Sequence, residues 1–524
     1  MPSPTPSDDP VGPLTSGRPS GLLAQGDEEE LARVGRDTGL MLGGTGVGRS
    51  FGLLFNFLAA RVAGPGAYGL FTLAQTVVNY LVTLATFGLD LALVRFVAIH
   101  QGSGARSRIR GVLTRALAIN LGLGVLLGSS LLLLAAPVAE GVFGKPELAT
   151  PFRWMAVSVP FLVVINLFCG ATQGLRKMAY TPLVRDLTFP VARCLLLALF
   201  LFLGLRLHAL LLAHGLVSVL WGAAALLLLF RVFAPLTAGV RPEPEPGLLP
   251  FAFPLFLNDL VVKSLRWSDI LFLGVFQGAG DVGVYRISQI TSEISRLIYQ
   301  AFKTTFAPVI SLLHHRGEGE SLRRQFAITS KWSFAASFPP LVFFSLMAEE
   351  SLGLFGPAFA KGALCLVILN AGRMVAVSTG LSANLIVMAG RSRWTLANSL
   401  GGNALTFLLN ALLIPRHGML GAAWAFALAT AILNVVQMVE ARIFFGFFPY
   451  HAGYLKPLLA SLAAGGVARL THPLLPLPAA GAYALAALLF LLLYGGLLVL
   501  LGLPPEDRLL AKHLLSRLRP GGNP

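Results

Sequence analysis

"RSFGLLFNFLAARVAGPGAYGLFTLAQ", residues 49–75, and "KSLRWSDILFLGVFQGAGDVGVYRISQ", residues 263–289, align without a gap at an offset of 214. Arg49 falls on Lys263, Ser50 on Ser264 and Gln75 on Gln289, while Gly64, Gly66 and Gly69 fall on Gly278, Gly280 and Gly283. Each stretch reads as an apolar helix, a glycine-rich turn and the start of a second helix. Glycine serves there where the backbone needs a positive φ or where two helices approach closely. The echo continues along the chain. "GATQGLRKMAY" near residue 175 matches "VMAGRSRWT" near 391, and "AEGVFG" from Ala139 matches "AEESLGLFG" from Ala348. The chain therefore reads as two copies of one six-helix unit. Six is even, so both copies enter a membrane the same way and are related by an axis along the membrane normal, with a cleft between them.

The membrane itself follows from composition. The 524 residues are 55% hydrophobic and 12% charged, with mean hydropathy +0.74. A soluble domain carries about twice that charge. Apolar runs long enough to cross a ~30 Å hydrocarbon core recur from about residue 41 to 502. The ~10-residue alternation of a membrane β-barrel is absent. The expected fold is thus an all-α polytopic membrane protein of about fourteen spans: 41–62, 68–93, 109–136, 151–170, 181–205, 208–231, 250–276, 283–311, 328–348, 361–388, 393–414, 418–445, 452–470 and 478–502. The organisation that follows is a Pro-, Ser- and acid-rich disordered tail over 1–32, six-helix bundles over 33–240 and 241–447, two added helices over 448–503 and a basic tail over 504–524. No basic stretch followed by an apolar core lies near Met1, so no signal peptide is expected, and "EEELARVGRD" is a candidate interfacial helix.

Lys and Arg in the loops set the orientation. With the N-terminus in the cytoplasm, inner loops hold Arg106, Arg108, Arg110, Arg176, Lys177, Arg316, Arg323, Arg391 and Arg393 among others, whereas outer loops hold scattered cations such as Lys145 and Lys361. Both termini are then cytoplasmic. The same asymmetry accounts for most of the formal +16 charge, so pI 10.3 signals a basic face near anionic lipid and not nucleic-acid binding. Cys169, Cys194 and Cys365 all fall in spans, with no disulfide framework and no metal spacing.

The eighth span carries the clearest functional signal. In "YRISQITSEISRLIYQAFK", residues 285–303, Arg286, Gln289, Glu293, Arg296, Gln300 and Lys303 are spaced 3, 4, 3, 4, 3. They share an arc of roughly 100° on a helix and cover ~26 Å of its length. Span 7 has a second stripe of Asn258, Asp259, Lys263, Arg266 and Asp269. An ionisable residue at mid-membrane costs about 2.5–3.5 kcal/mol, so these stripes must face protein or water. Asp259–Lys263, Arg266–Asp269 and Glu293–Arg296 have ion-pair spacing. Five cations on the stripes still outnumber three anions, and Arg49, Arg193 and Arg373 add to the excess. A cationic cleft implies an anionic ligand. On the matching face of span 2, Thr72, Gln75 and Asn79 are expected to form a polar, neutral wall suited to hydroxyl-rich groups. Asp259 and Glu293 are candidates for binding a coupling ion, H⁺ or Na⁺; no other cofactor and no metal is expected.

Longer segments carry a resemblance. "ARVAGPGAYGLFTLAQ", "TFGLDLALVRFVA", "LFGPAFAKGALCLVIL" and, most specifically, "NALLIPRHGMLGAAWA" resemble bacterial polysaccharide repeat-unit flippases of the multidrug/oligosaccharidyl-lipid/polysaccharide exporter superfamily, over about residues 31–450. The resemblance implies two six-helix bundles plus two helices. It implies alternating-access movement of an undecaprenyl-diphosphate-linked oligosaccharide to the outer leaflet of the bacterial cytoplasmic membrane. Under it, Arg49, Lys263, Arg266, Arg286, Arg296, Lys303 and Arg373 are diphosphate candidates. Thr72, Gln75, Asn79, Asn258, Gln289 and Gln300 are polar cleft candidates. Partners are the lipid-linked anionic oligosaccharide, membrane lipids, and polysaccharide polymerase and glycosyltransferases. A lipid II flippase and a multidrug antiporter share the superfamily. A membrane glycosyltransferase or ligase is the reading from another class, and short outer loops without an Asp-x-Asp motif speak against an enzyme.

Overall fold

A chain in hydrocarbon has to satisfy every backbone N–H and C=O within itself, and helices do so segment by segment. The computed structural model describes residues 25–448 and 452–502, and no strand occurs among them. The first half holds α1 (Gln25–Thr86), α2 (Leu89–Gly102), α3 (Arg106–Leu133), α4 (Ala135–Gly141), α5 (Ala149–Ala156), α6 (Ser158–Gly174), α7 (Phe189–Phe202) and α8 (Arg206–Thr237). A π-helix, Pro182–Thr188, precedes α7. The second half holds α9 (Leu248–Phe276), α10 (Ala279–His315), α11 (Gly319–Leu346), α12 (Ala348–Gly353), α13 (Ala363–Ser378), α14 (Ser382–Met388) and α15 (Ser392–Phe445). Two further helices, α16 (Leu455–Thr471) and α17 (Ala479–Leu500), pack on α11.

This is a multi-pass membrane protein. Six helical stretches are long and apolar enough to cross a bilayer, and two bent pairs bring the number to eight among the described residues. Two of the six, Gly46–Gly102 and Arg393–Phe445, run to 57 and 53 residues. Each is folded back at a glycine with positive φ, Gly64 (φ 73°) and Gly418 (φ 56°). α10 is 37 residues long but too charged to pass as a lipid-facing helix, because it carries the stripe. Residues 25–32, expected to be disordered, are helical. The tail 504–524 lies outside the described residues.

The 49–75 and 263–289 stretches meet in space. A Cβ built on Gly69 would overlap the carbonyl oxygen of Ala279, and one on Gly283 would overlap that of Pro65. Pro65 and Ala279 are themselves 214 apart, so the contact is reciprocal, as at a two-fold axis. The same added atoms would lie 3.0 Å from Gly283 N and 3.1 Å from Gly69 N. The close-approach role expected of these glycines thus holds for Gly69 and Gly283. Gly66 and Gly280 face open space, and Gly278 has an ordinary φ of −65° where Gly64 is positive. The second echo also has a structural counterpart. Ala135–Gly141 and Ala348–Gly353 are both short helices, each followed by a positive-φ glycine (Gly144, Gly356) and a 3₁₀ turn beginning at proline.

The two ends of the molecule differ. At the end bearing the 64–69 and 278–283 turns, one apolar core containing Tyr68, Phe71, Tyr285, Phe359 and Leu366 joins both halves. Arg61 donates to the Leu354 carbonyl, and Lys145 Nζ to the Gly274 carbonyl, across the same seam. At the opposite, basic end the cores separate. One surrounds Leu89, Phe168, Phe233 and Leu248, and the other surrounds Phe306, Phe326 and Leu385. The linker between halves is held on the first: Glu245 meets His100 at 2.9 Å, and Glu243 N donates to the Ser107 carbonyl at 3.1 Å.

Candidate functional site: a cationic cavity in the second half

The α10 stripe turns inward because its 3–4 spacing keeps one face polar over five turns. It forms one wall of a cavity of about 540 Å³. Gln289, Glu293, Arg296, Gln300 and Lys303 line that wall, with Tyr299 beside them. α9 adds Arg266 and Asp269, and α13 adds Arg373. The remaining wall comes from the two arms of α15. Asn403, Thr406 and Asn410 stand on the first arm, and Thr430, Asn434 and Gln437 on the second.

Four cations, Arg266, Arg296, Lys303 and Arg373, therefore face two carboxylates, Asp269 and Glu293. Glu293 lies 4.0 Å from Arg296 and 3.9 Å from Arg373. Arg373 is buried, stacks over Phe426 at 4.9 Å, and leaves its Nε without a partner among the described residues. Asp269 accepts from Tyr285 Oη at 2.6 Å, Gln289 Nε2 at 3.0 Å and its neighbour's amide, Ile270 N, at 2.8 Å. Gln289 Oε1 in turn accepts from Arg286 at 2.6 Å. The sequence spacing offered Arg266 as the partner of Asp269, but Tyr285 and Gln289 on α10 take that carboxylate instead. Tyr285 is fully buried in this role and does not line the cavity. Tyr299 does line the cavity and donates to the Gly380 carbonyl at 2.8 Å, where α13 breaks before α14.

Other expected site residues lie elsewhere. Lys263 and Asp259 pair with each other at 2.6 Å on α9, half-exposed. Asn258 is exposed one residue before Asp259, and Arg49 is exposed beside Gly48, which abuts the backbone of Asp186 in the π-helix. Arg286 binds Gln289 without reaching the cavity lining. Thr72 is buried with its hydroxyl on the Tyr68 carbonyl, and Gln75 and Asn79 are half-buried on α1. The cavity is not bounded by both halves as expected: every residue lining it falls within 262–437. The neutral wall assigned to span 2 is supplied by α15.

Residues 34–314, which is 281 of 524 and so more than half of the chain, match the family described as polysaccharide biosynthesis protein. The chain belongs to that family. It is 22% identical over 415 residues to a probable flippase, AglR, of Haloferax volcanii, covering 78% of this chain and 83% of that one. It is 23% identical over 404 residues to the lipid III flippase of Escherichia coli (strain K12), covering 73% and 91%. Among solved structures, the lipid II flippase MurJ in an inward closed conformation superposes with TM-score 0.65 at 14% identity, over 87% of this chain and 97% of that one. That likeness establishes the fold.

The one-sidedness of the cavity in this polysaccharide biosynthesis protein has a packing cause. At the 214 offset Phe55 stands where Asp269 does. Phe55 is fully buried, leans on Phe71 with centroids 5.9 Å apart, and carries the Arg193 guanidinium over its ring at 4.0 Å. His214 closes the group, edge-on to Phe71 and Phe189. Aromatic rings thus fill in the first half the position that opens onto the cavity in the second. The α15 residues were legible too, since Asn403, Thr406 and Asn410 keep the 3–4 spacing of one helix face and Thr430, Asn434 and Gln437 the 4–3 spacing of another.

Proposed function

We propose that this protein is a flippase that moves an undecaprenyl-diphosphate-linked oligosaccharide from the cytoplasmic to the outer leaflet of a bacterial cytoplasmic membrane by alternating access. The observation that carries the reading is the cavity itself: guanidinium, ammonium and amide groups gathered between helices of a membrane protein, where an unused charge is costly. Arginine forks match phosphate oxygens, and the amides and hydroxyls opposite match sugars. The named flippases among its relatives support the same reading. In this reading the chain crosses fourteen times as two related six-helix bundles plus α16 and α17, with both termini cytoplasmic. A core fused at the turn end and divided at the basic end supports a state open toward the cytoplasm. Glu293, poised between Arg296 and Arg373, is the favoured site for a coupling proton or Na⁺, and Asp259 the second.

Arg296 gives the direct test. Arg296→Ala is expected to abolish leaflet exchange of the lipid-linked oligosaccharide in proteoliposomes while leaving expression near normal. Arg296→Lys is expected to retain part, because lysine keeps the charge but loses the two-pronged donor. Full activity of the alanine variant in a flippase-deficient strain would refute the assignment. Covalent transfer of sugar by the purified protein would replace the flippase reading with a glycosyltransferase.

A further inference from the structure

We infer that the oligosaccharide held in the cavity is uncharged, so that the lipid diphosphate is the only anion it accommodates. This rests on the flippase reading. The argument is one of charge balance in a place where imbalance is expensive. Of the four lining cations, Arg296 and Arg373 share Glu293, at 4.0 and 3.9 Å. Arg266 and Lys303 form no ion pair among the described residues, and Asp269 is the second lining carboxylate, so four cations against two carboxylates leave the cavity two positive charges in surplus. A diphosphate esterified at both ends carries one negative charge on each phosphorus and cancels that surplus. A uronic or other acidic sugar would leave a net negative charge.

The remaining surface agrees. Besides the Phe426 ring, α15 contributes only amides and hydroxyls, with no cation. Amide side chains both donate and accept, as sugar hydroxyls and acetamido groups do, whereas a carboxylate can only accept. Asn410 is 1% exposed; one N–H of its Nδ2 goes to Ser268 Oγ at 3.0 Å, and its buried Oδ1 has no partner among the described residues. Asn434 likewise uses one of its two side-chain N–H groups on the Thr430 carbonyl, at 2.8 Å. The groups left over on this wall are neutral donors and acceptors, which pair with sugar hydroxyls but supply no charge to balance a carboxylate. The cavity volume of about 540 Å³ falls within the ~300–1,000 Å³ of ordinary ligand sites. It therefore holds the diphosphate with the sugars nearest to it.

The test uses the full-length protein in proteoliposomes and two undecaprenyl-diphosphate trisaccharides. One consists of neutral hexoses and N-acetylhexosamines; the other has a hexuronic acid as its second sugar. The initial rate of leaflet exchange is read by a membrane-impermeant lectin. The neutral lipid is expected to move at least about tenfold faster, since like-charge juxtaposition costs several kcal/mol. Asn403→Lys, which adds a cation to the neutral wall, is expected to narrow the ratio. Equal rates, or a preference for the acidic lipid, would overturn the inference and leave the flippase reading standing. A ratio unchanged by Asn403→Lys would overturn its electrostatic basis. If neither lipid moves, the flippase reading fails, and this inference with it.

Discussion

Two carboxylates on α9 show how differently one side chain can be used. Asp259 meets Lys263 at 2.6 Å with both side chains about a third exposed, 36% and 34%. Such half-exposed pairs contribute ~0–1 kcal/mol, so Asp259→Asn is expected to leave the unfolding midpoint of the detergent-purified protein nearly unchanged. Asp269 is 6% exposed and receives three hydrogen bonds, two of them from α10. Removing one donor leaves a buried acceptor short at a cost of about 1–3 kcal/mol. Tyr285→Phe is therefore expected to lower the midpoint clearly where Asp259→Asn does not, and a midpoint equal to wild type would show that the Tyr285–Asp269 bond carries no stability. Pair spacing predicted Asp259–Lys263 correctly and Arg266–Asp269 incorrectly. Spacing along one helix cannot reveal that a tyrosine on the next helix competes for the same oxygen.

Helices were legible where their pattern was strong. The 3–4 stripe of α10 announced a polar face, and the repeat announced that the Gly69 and Gly283 turns correspond. The sequence did not reveal which wall would face that stripe, because symmetry pointed to span 2 while aromatic packing around Phe55 closed that half. The turn glycines allow a controlled test. At Gly69 and Gly283 a methyl group would strike backbone carbonyls of the opposite half, Ala279 and Pro65, which cannot swing aside as a side chain can. Overpacking of this kind costs about 1–3 kcal/mol. Gly69→Ala and Gly283→Ala are expected to lower the unfolding midpoint by similar amounts, because the contacts are reciprocal. Gly66→Ala and Gly280→Ala, in the same turns but facing open space, are expected to be neutral. Four equal midpoints would remove the close crossing of α1 and α10 from the account of this fold.

For the whole molecule, a carrier that releases its load on the far side must part the end that is closed here. That end is held by the Gly69–Gly283 crossing, by the apolar core shared between halves, and by Arg61 on the Leu354 carbonyl. The polar contacts are few and the shared surface is mainly apolar, so separation exposes hydrocarbon-like groups that lipid or substrate must cover. The two halves would then pivot on seams that persist elsewhere. One candidate runs along α9, whose first turns pack on α2 through Phe251 against Phe96, and whose later turns reach α15 through Ser268 and Asn410. If the turn end opens in each cycle, tethering it must stop transport without touching the cavity. Cysteines at positions 61 and 354 provide the tether, and the native Cys169, Cys194 and Cys365 are buried and so poorly placed to interfere. Joining Arg61→Cys and Leu354→Cys with a short, reducible bifunctional thiol reagent is expected to abolish leaflet exchange, and reduction is expected to restore it. Each single variant treated alike serves as control for the loss of the Arg61 contact. Transport at the wild-type rate by the cross-linked protein would mean that the turn end stays shut throughout, and the route for the head group would then have to run sideways out of the second half.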